Sequence, residues 1–341
     1  MHSIFPVLVS IFYFLNGILQ LKLAFALKHR FSEHNLSTSI ATVLLWIFAS
    51  ISYPYLIQKA EGSLPNYEFH SFFWIVIFTP FCIFIILFYQ YTLLKKKPEL
   101  REKRQPKNLE IILKNTGDEG DNYSTYVDLK RKLLHLVPAV LIIVLYFLGI
   151  RIMNVNLSYY LIITVGYLGI YVFAMLDLVR FSWLTGSTRY YELLPNNVLE
   201  LMTSAMKPKE LIEFIKSSAL ILAMIPVFFF DFGIFVATAL IATIGDGCAS
   251  IFGKTFGKKK FPRNSPKTVI GYIAGFLGSL CLALTSILIF QPEYVMEKTV
   301  FLSFTAAILF FLVDISNARI DDNILNSIVI GIITGLFSIL L

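Results

Sequence analysis

Ten runs of about twenty residues in this chain carry almost no charge, and that length is what an α-helix needs to cross the hydrocarbon layer of a bilayer. They fall at roughly 4–27, 37–58, 70–94, 133–150, 157–176, 217–231, 233–252, 269–290, 299–315 and 324–341. Only the single Asp231-Phe232 step separates the sixth run, which is short, from the seventh, so this pair predicts a tight helical hairpin or a re-entrant pair. Charged residues make up 15% of the 341, against roughly a quarter in soluble domains. The fold class that follows is all-α, a polytopic integral membrane protein of about ten transmembrane helices. The first run lacks a basic flank on its N-terminal side and is followed by further runs, so it reads as a retained helix and not as a cleaved signal.

The polar residues divide the chain. Lys95 to Lys132 holds eleven Lys/Arg and seven Asp/Glu. It separates a three-helix membrane segment (1–94) from a catalytic membrane segment (131–341), with a basic, partly flexible cytoplasmic linker over 95–130 between them. With ten spans and the N-terminus outside, the inside segments collect 25 of the 29 Lys/Arg. Basic residues concentrate in short cytoplasmic loops, and this count fixes the orientation. The same rule accounts for the net charge of +7 without nucleic acid as a partner. Cys82, Cys248 and Cys281 each sit inside an apolar run and show no metal-ligand or disulfide spacing.

Four polar clusters fall on the cytoplasmic side of this topology, where charge next to apolar sequence is costly and tends to be functional. The densest is Thr243 to Gly271. It contains Asp246 as its one acid, the glycines Gly245, Gly247, Gly253 and Gly257, and the cations Lys254, Lys258, Lys259, Lys260, Arg263 and Lys267. Glycines allow close backbone approach to a ligand, cations neutralise a polyphosphate, and Asp246 offers hard oxygen to Mg²⁺. An ordinary positive cytoplasmic loop would explain the lysines but not Gly-Asp-Gly at the end of an apolar run. Arg131, Lys132 and His135 open the fourth run, where cations oppose the helix dipole and are better used on an anion. Asp177 and Arg180 close the fifth run at i,i+3 spacing, either as a salt bridge that eases insertion or as an orienting acid with a phosphate contact. Asp314 ends the ninth run, and Asn317, Asp321, Asp322 and Asn323 lead into the tenth. They serve as an N-cap or as further Mg²⁺ ligands. Phosphoryl transfer needs this combination of cations, metal and a held acceptor hydroxyl.

The chain resembles the polyprenol kinase family, which includes dolichol, phytol and farnesol kinases and CTP-dependent diacylglycerol kinases. The resemblance covers about Asp128 to Leu341 and rests on Arg131-Lys132-x-x-His135 and Asp177-x-x-Arg180. It continues through Gly245-Asp246-x-x-Ala249-Ser250-x-x-Gly253-Lys254-x-x-Gly257, Lys267-Thr268 and Asp322-Asn323. It implies phosphorylation of a membrane isoprenoid alcohol such as dolichol or polyprenol, with CTP as donor and a divalent cation. Gly245 to Gly257, Lys258, Lys267 and Thr268 would form the nucleotide-phosphate site, assisted by Arg131 and Lys132. Asp246 and Asp322, with Asp321 as a second carboxylate, would hold Mg²⁺, and Asp177 or His135 would serve as base. Family members commonly carry Glu where this chain has Ile270 and Asp314, and Pro where it has Ser327. The membrane would be the plasma membrane or the endoplasmic reticulum, with the site on the cytoplasmic face. A CTP:lipid-phosphate cytidylyltransferase ranks second, because no histidine follows His135 to supply that group's His-containing signature. Diacylglycerol is an alternative acceptor. A transporter ranks lower, since the polar clusters gather at one face and not at the midplane.

Overall fold

A computed structural model describes the chain except residues 1–2, 33, 106–124, 186–187, 200–209, 211, 263–266 and 317. Most of the linker, Arg263 and Asn317 therefore lie outside the described residues, as does the Arg131 side chain. The described residues are helical throughout, joined by turns and one isolated bridge, and they form an all-α polytopic membrane protein. The helices are α1 (Phe5–Arg30), α2 (Leu36–Gln58), α3 (Tyr67–Lys96), α4 (Thr125–Ile152), α5 (Val155–Arg180), α6 (Lys216–Met224), α7 (Phe232–Phe256), α8 (Val269–Phe290), α9 (Met296–Ser316) and α10 (Asp322–Leu340).

Nine helices among the described residues are long and apolar enough to span. The sixth expected run differs. It forms α6 and a 3₁₀ turn, Pro226–Phe229, together an apolar element over Lys216–Phe229. Fourteen residues at helical rise reach about 21 Å, short of the ~30 Å hydrocarbon layer. Pro226 lacks the N–H a continuing helix requires, so the chain tightens there and turns into α7.

By contacts the chain forms two compact units, Met1–Arg131 with Leu145–Ser218, and Lys132–Val144 with Ala219–Leu341. Leu145–Ser218 thus belongs with the N-terminal helices and not with the motif-bearing ones.

In the first unit, burying apolar side chains gives helices little advantage over lipid, so small residues and hydrogen bonds carry the packing. Gly17 of α1 lets the Trp46 side chain of α2 approach closely. Tyr13 donates to the carbonyl of Tyr167, Tyr167 donates to the carbonyl of Ala49 at 2.8 Å, and Gln20 donates to the carbonyl of Ala174 at 3.2 Å. The Tyr53 hydroxyl donates to Ser71 at 2.8 Å, and Ser71 pairs with Thr164 at 2.9 Å. Together these bonds fix α1, α2, α3 and α5 in one register. In α3 a π-helical stretch, Phe73–Phe78, precedes Pro80, whose ring cannot follow a regular turn.

In the second unit, α7 to α10 run alternately up and down around Ala237, Ile241, Ala283, Ala306, Phe310 and Ile330. One end of these helices gathers Phe256, Val269, Ser316 and Asp322; the other gathers Phe232, Phe290, Met296 and Leu340. At the latter end Asp231 accepts from the Tyr294 and Ser338 hydroxyls, and Lys298 donates to the Ser338 carbonyl at 2.7 Å. Val227 and Phe230 pack on Gly331 and Gly335 of α10, where any Cβ would collide with them. The short α6 element and its 3₁₀ turn therefore lead into α7 at the end where Asp231, Tyr294 and Ser338 meet.

One tie in the first unit is pH-sensitive. His34 is buried between α1 and α2, with Nδ1 2.9 Å from the Ile212 carbonyl and Nε2 3.1 Å from the Ser39 hydroxyl. Nδ1 must therefore carry the proton and Nε2 must accept. Burial, with the charge of Lys28, holds its pKa below the ordinary 6.5 despite the pull of the Ile212 bond. A depressed pKa means the unfolded chain binds the proton first. The stabilisation is complete well above pH 6.5 and is lost as pH falls through the folded value. Melting of the detergent-solubilised protein should decline below pH 6.5, and His34→Asn should remove that part of the decline.

Candidate active site

The site end of the second unit is built from a close contact between α7 and α8. In α7 the stretch Ile241–Gly245 is π-helical, and the Asp246 N–H donates to the Ile241 carbonyl five residues back. The extra residue changes the phase of the helix, so Asp246 starts a new α-helical segment. The expected glycine loop is thus largely helix, and its glycines face a neighbouring helix. A Cβ at Gly245 would lie 2.8 Å from the Ser279 Oγ, at Gly253 3.2 Å from the Gly271 Cα, and at Gly257 2.2 Å from the Thr268 Oγ1. Gly271 and Gly275 of α8 approach Ala249 in the same way. A Cβ at Gly247, which is buried, would meet only the Lys132 side chain, at 4.0 Å.

Beyond α7 the chain returns through a short antiparallel pairing. Phe261 N–H donates to the Lys267 carbonyl and Val269 N–H to the Lys259 carbonyl, both at 3.0 Å. This return delivers Thr268 to the start of α8. Its hydroxyl accepts from the Gly271 N–H and donates to the Gly253 carbonyl, both at 3.2 Å. Thr268 is therefore both the N-cap of α8 and a tie to α7.

Two lysine–aspartate pairs occupy this end. Lys132 of α4 donates to Asp246 Oδ2 at 2.6 Å and to its carbonyl at 3.2 Å. Lys267 donates to Asp314 Oδ1 at 2.6 Å and to its carbonyl at 2.7 Å. Asp314, one methylene shorter than the Glu implied by the resemblance, still reaches the lysine. The pairs sense each other, since the charges of Asp246 and Lys132 act on the Asp314 carboxyl. Burial works against the Lys267 ammonium, yet the Asp314 hydrogen bond and charge, with Asp322 adding, raise its pKa above the ordinary lysine value. Lys132, Asp246, Asp314, Lys267 and Asp322 thus form one electrostatic cluster where the helices end.

The remaining expected residues are placed as follows. His135 lies one turn along α4 from Lys132 and is partly buried. Lys254 and Lys258 are exposed at and just beyond the end of α7. Asp321 caps α10, its Oδ1 accepting from the Asn323 N–H at 3.0 Å and from the Asn323 side chain at 2.8 Å, while Asp322 is exposed beside it. Ile270 is 39% exposed.

Asp177 and Arg180 belong to the first unit and are buried. Asp177 accepts from Arg180 at 2.6 Å and from the Ile215 N–H at 3.1 Å; Arg180 also donates to the Glu213 carbonyl and stacks on Phe181 at 4.1 Å. Both carboxylate oxygens are used, which is the geometry of a structural tie.

Among the described residues no group of three or more His, Cys, Asp or Glu is placed to hold a metal. Mg²⁺ on a nucleotide needs only one or two protein carboxylates, because phosphate oxygens and water complete its shell. Asp246, paired with Lys132, and Asp322, exposed at the start of α10, are the carboxylates of this end that would meet that lesser requirement. The pairing of Lys267 with Asp314, 47 residues apart, left no local signal in the sequence.

Residues 121–339 match the profile of a family described as the cytidylyltransferase family. The chain belongs to that family. It is a family of transferases that use CTP, and it contains polyprenol and dolichol kinases and CTP-dependent diacylglycerol kinases. No curated protein and no solved structure matches the chain significantly.

Thr268→Val keeps the side-chain volume and removes both bonds of the tie. It should lower stability by about 1–2 kcal/mol, read as a fall of several degrees in melting temperature. An unchanged melting curve would remove Thr268 from the architecture of the site.

Proposed function

We propose that the chain is a lipid kinase that moves the γ-phosphoryl group of CTP to the hydroxyl of a membrane isoprenoid alcohol such as dolichol or polyprenol. The observation that carries this reading is the paired cluster Lys132–Asp246 and Lys267–Asp314 at the helix ends of the second unit. A polyphosphate and a lipid hydroxyl meet only at such a boundary between apolar helices and solvent. Lys132, which meets Asp246 here, closes the basic stretch Lys95–Lys132, and its eleven Lys/Arg favour the cytoplasmic side, where CTP is available.

In the reaction the acceptor oxygen forms a bond to the γ-phosphorus, the bond from that phosphorus to the β-phosphate oxygen breaks, and CDP leaves. Little covalent chemistry is asked of the protein; positioning and charge neutralisation dominate. Lys132 and Lys267 are preplaced on aspartates and exchange these partners for phosphate oxygens when nucleotide binds. Lys254 and Lys258 add positive potential at the exposed rim, and Arg131 adjoins Lys132 in sequence. Releasing Lys132 leaves Asp246 free as an oxygen ligand, and Asp246 with Asp322 would hold Mg²⁺, which when bound offsets phosphate charge. His135, one turn from Lys132, is the residue of this unit suited to take the hydroxyl proton; Asp177 is committed to Arg180 and Ile215.

The family description favours one alternative. In lipid-phosphate cytidylyl transfer, the lipid phosphate attacks the α-phosphorus, CMP is transferred and pyrophosphate leaves. The same lysines and aspartates would serve it. Purified protein given Mg²⁺, labelled CTP and a panel of isoprenoid alcohols, diacylglycerol and phosphatidate separates the two. Label from the γ position in extractable lipid supports the kinase and names its acceptor. Label only from the α position, with phosphatidate, establishes the alternative. Asp246→Asn should cut turnover at least ~100-fold, a loss of about 2.7 kcal/mol in transition-state stabilisation, with expression and melting retained. Full activity would remove Asp246 from the chemistry.

A further inference from the structure

Polar side chains inside a membrane-spanning bundle are costly unless they are hydrogen-bonded. Most of those in the core of the second unit meet this cost within their own helix. Thr238, Ser286, Ser303 and Ser327 each donate to the carbonyl one turn back, at 2.7–2.8 Å. Three atoms break the pattern: Ser279 Oγ on α8, and Asn326 Oδ1 and Thr334 Oγ1 on α10. Their residues are 0%, 2% and 2% exposed, and among the described residues no protein group hydrogen-bonds to these atoms.

Two of the three lie at one depth. Ile241, Ala283 and Ile330 belong to a single apolar core. One turn from each toward the site end stand Gly245 on α7, Ser279 on α8 and Asn326 on α10. The interior therefore changes within one turn from isoleucine, alanine and isoleucine to glycine, serine and asparagine. Ser279 Oγ is aimed at Gly245, where a Cβ would lie 2.8 Å from it. Both α8 and α10 pack on the π-helical stretch Ile241–Gly245. Thr334 lies two turns deeper on α10 and is not part of this level.

The chemistry of this level selects its ligand. An apolar group would leave both oxygens unsatisfied. A cation would meet two neutral oxygens, and the nearest carboxylate of the core, Asp314 one turn beyond Phe310, is already held by Lys267. Water carries no charge, donates to Asn326 Oδ1, and either donates to or accepts from the Ser279 hydroxyl.

We propose that Ser279 and Asn326 hold internal water at the level of Gly245, in a polar pocket beneath the charged end of the second unit. Asp322 stands one turn from Asn326 along the same face of α10, so this water hydrates the charged cluster from the core side.

X-ray hydroxyl-radical footprinting of the full chain in detergent tests this, because radicals made from bound water oxidise the buried side chains beside it. Ile241 and Ile330, which border the pocket, should be modified several-fold faster than Ile287 and Leu302, which are equally buried in the far half of the bundle. Equal rates would mean a dry core and overturn the proposal. A stability cycle on Ser279→Ala and Asn326→Leu gives a second, independent reading. Replacing a dry, unsatisfied atom with an apolar group relieves a penalty and raises the melting temperature. Removing a partner of bound water lowers it, and the two losses overlap when the water is shared. Each variant should therefore melt a few degrees lower, and the double variant should lose less than the sum. A rise in either single variant, or strict additivity, would overturn the shared site. Should a variant fail to fold, footprinting of the unaltered chain decides alone. Neither readout involves transferase activity, so the outcome is independent of the reaction assigned to this unit.

Discussion

The close contact between α7 and α8 is the constraint on which the second unit depends. Apolar burial gives two helices in lipid little reason to associate, so they associate where their backbones can touch. Gly245, Gly253 and Gly257 on one side, with Gly271 and Gly275 on the other, remove the side chains that would hold them apart. Thr268 then locks the contact with one hydroxyl used twice. Only because these helices touch does the chain from Phe256 return within a short hairpin and place Lys267 opposite Asp314.

On the phosphoryl-transfer reading proposed above, the charges at that end are arranged for exchange. Lys132 and Lys267 each rest on an aspartate. Lone charges there would be expensive, and a purely apolar end would give a polyphosphate nothing to bind. The pairs also suit transition-state electrostatics, where donors fixed in advance cost no reorganisation at the moment of reaction. Asp314 illustrates how narrow the geometry is. It is buried, accepts from Lys267 with both its carboxylate and its carbonyl, and brings α9 into a site otherwise made by α4, α7, the start of α8 and the start of α10.

Much of this was legible in the sequence. Apolar runs of twenty residues announce helices because lipid gives a backbone few alternatives, and nine of the ten expected spans are long apolar helices here. The sixth run misled because hydropathy counts apolar residues and is blind to Pro226, which shortens the element. Asp246 and Lys267 stood out because charge is rare in such surroundings. What the sequence did not disclose is pairing across distance: Lys132 with Asp246, Lys267 with Asp314, and Arg104 with Gln90 and Asn196. The glycines were visible, but their partner was not. A glycine that admits a ligand and one that admits a helix look identical in sequence.

The π-helical turn at Ile241–Gly245 divides α7 into two segments with different phases. Phe232–Leu240 packs in the core around Ala237, and Asp246–Phe256 continues along α8 through Ala249, Gly253 and Gly257. One residue of a regular helix corresponds to about 100° of rotation, so the inserted residue works as a fixed angular offset between scaffold and chemistry. Asp246 therefore meets Lys132 by an offset that the register of the core alone would not give it.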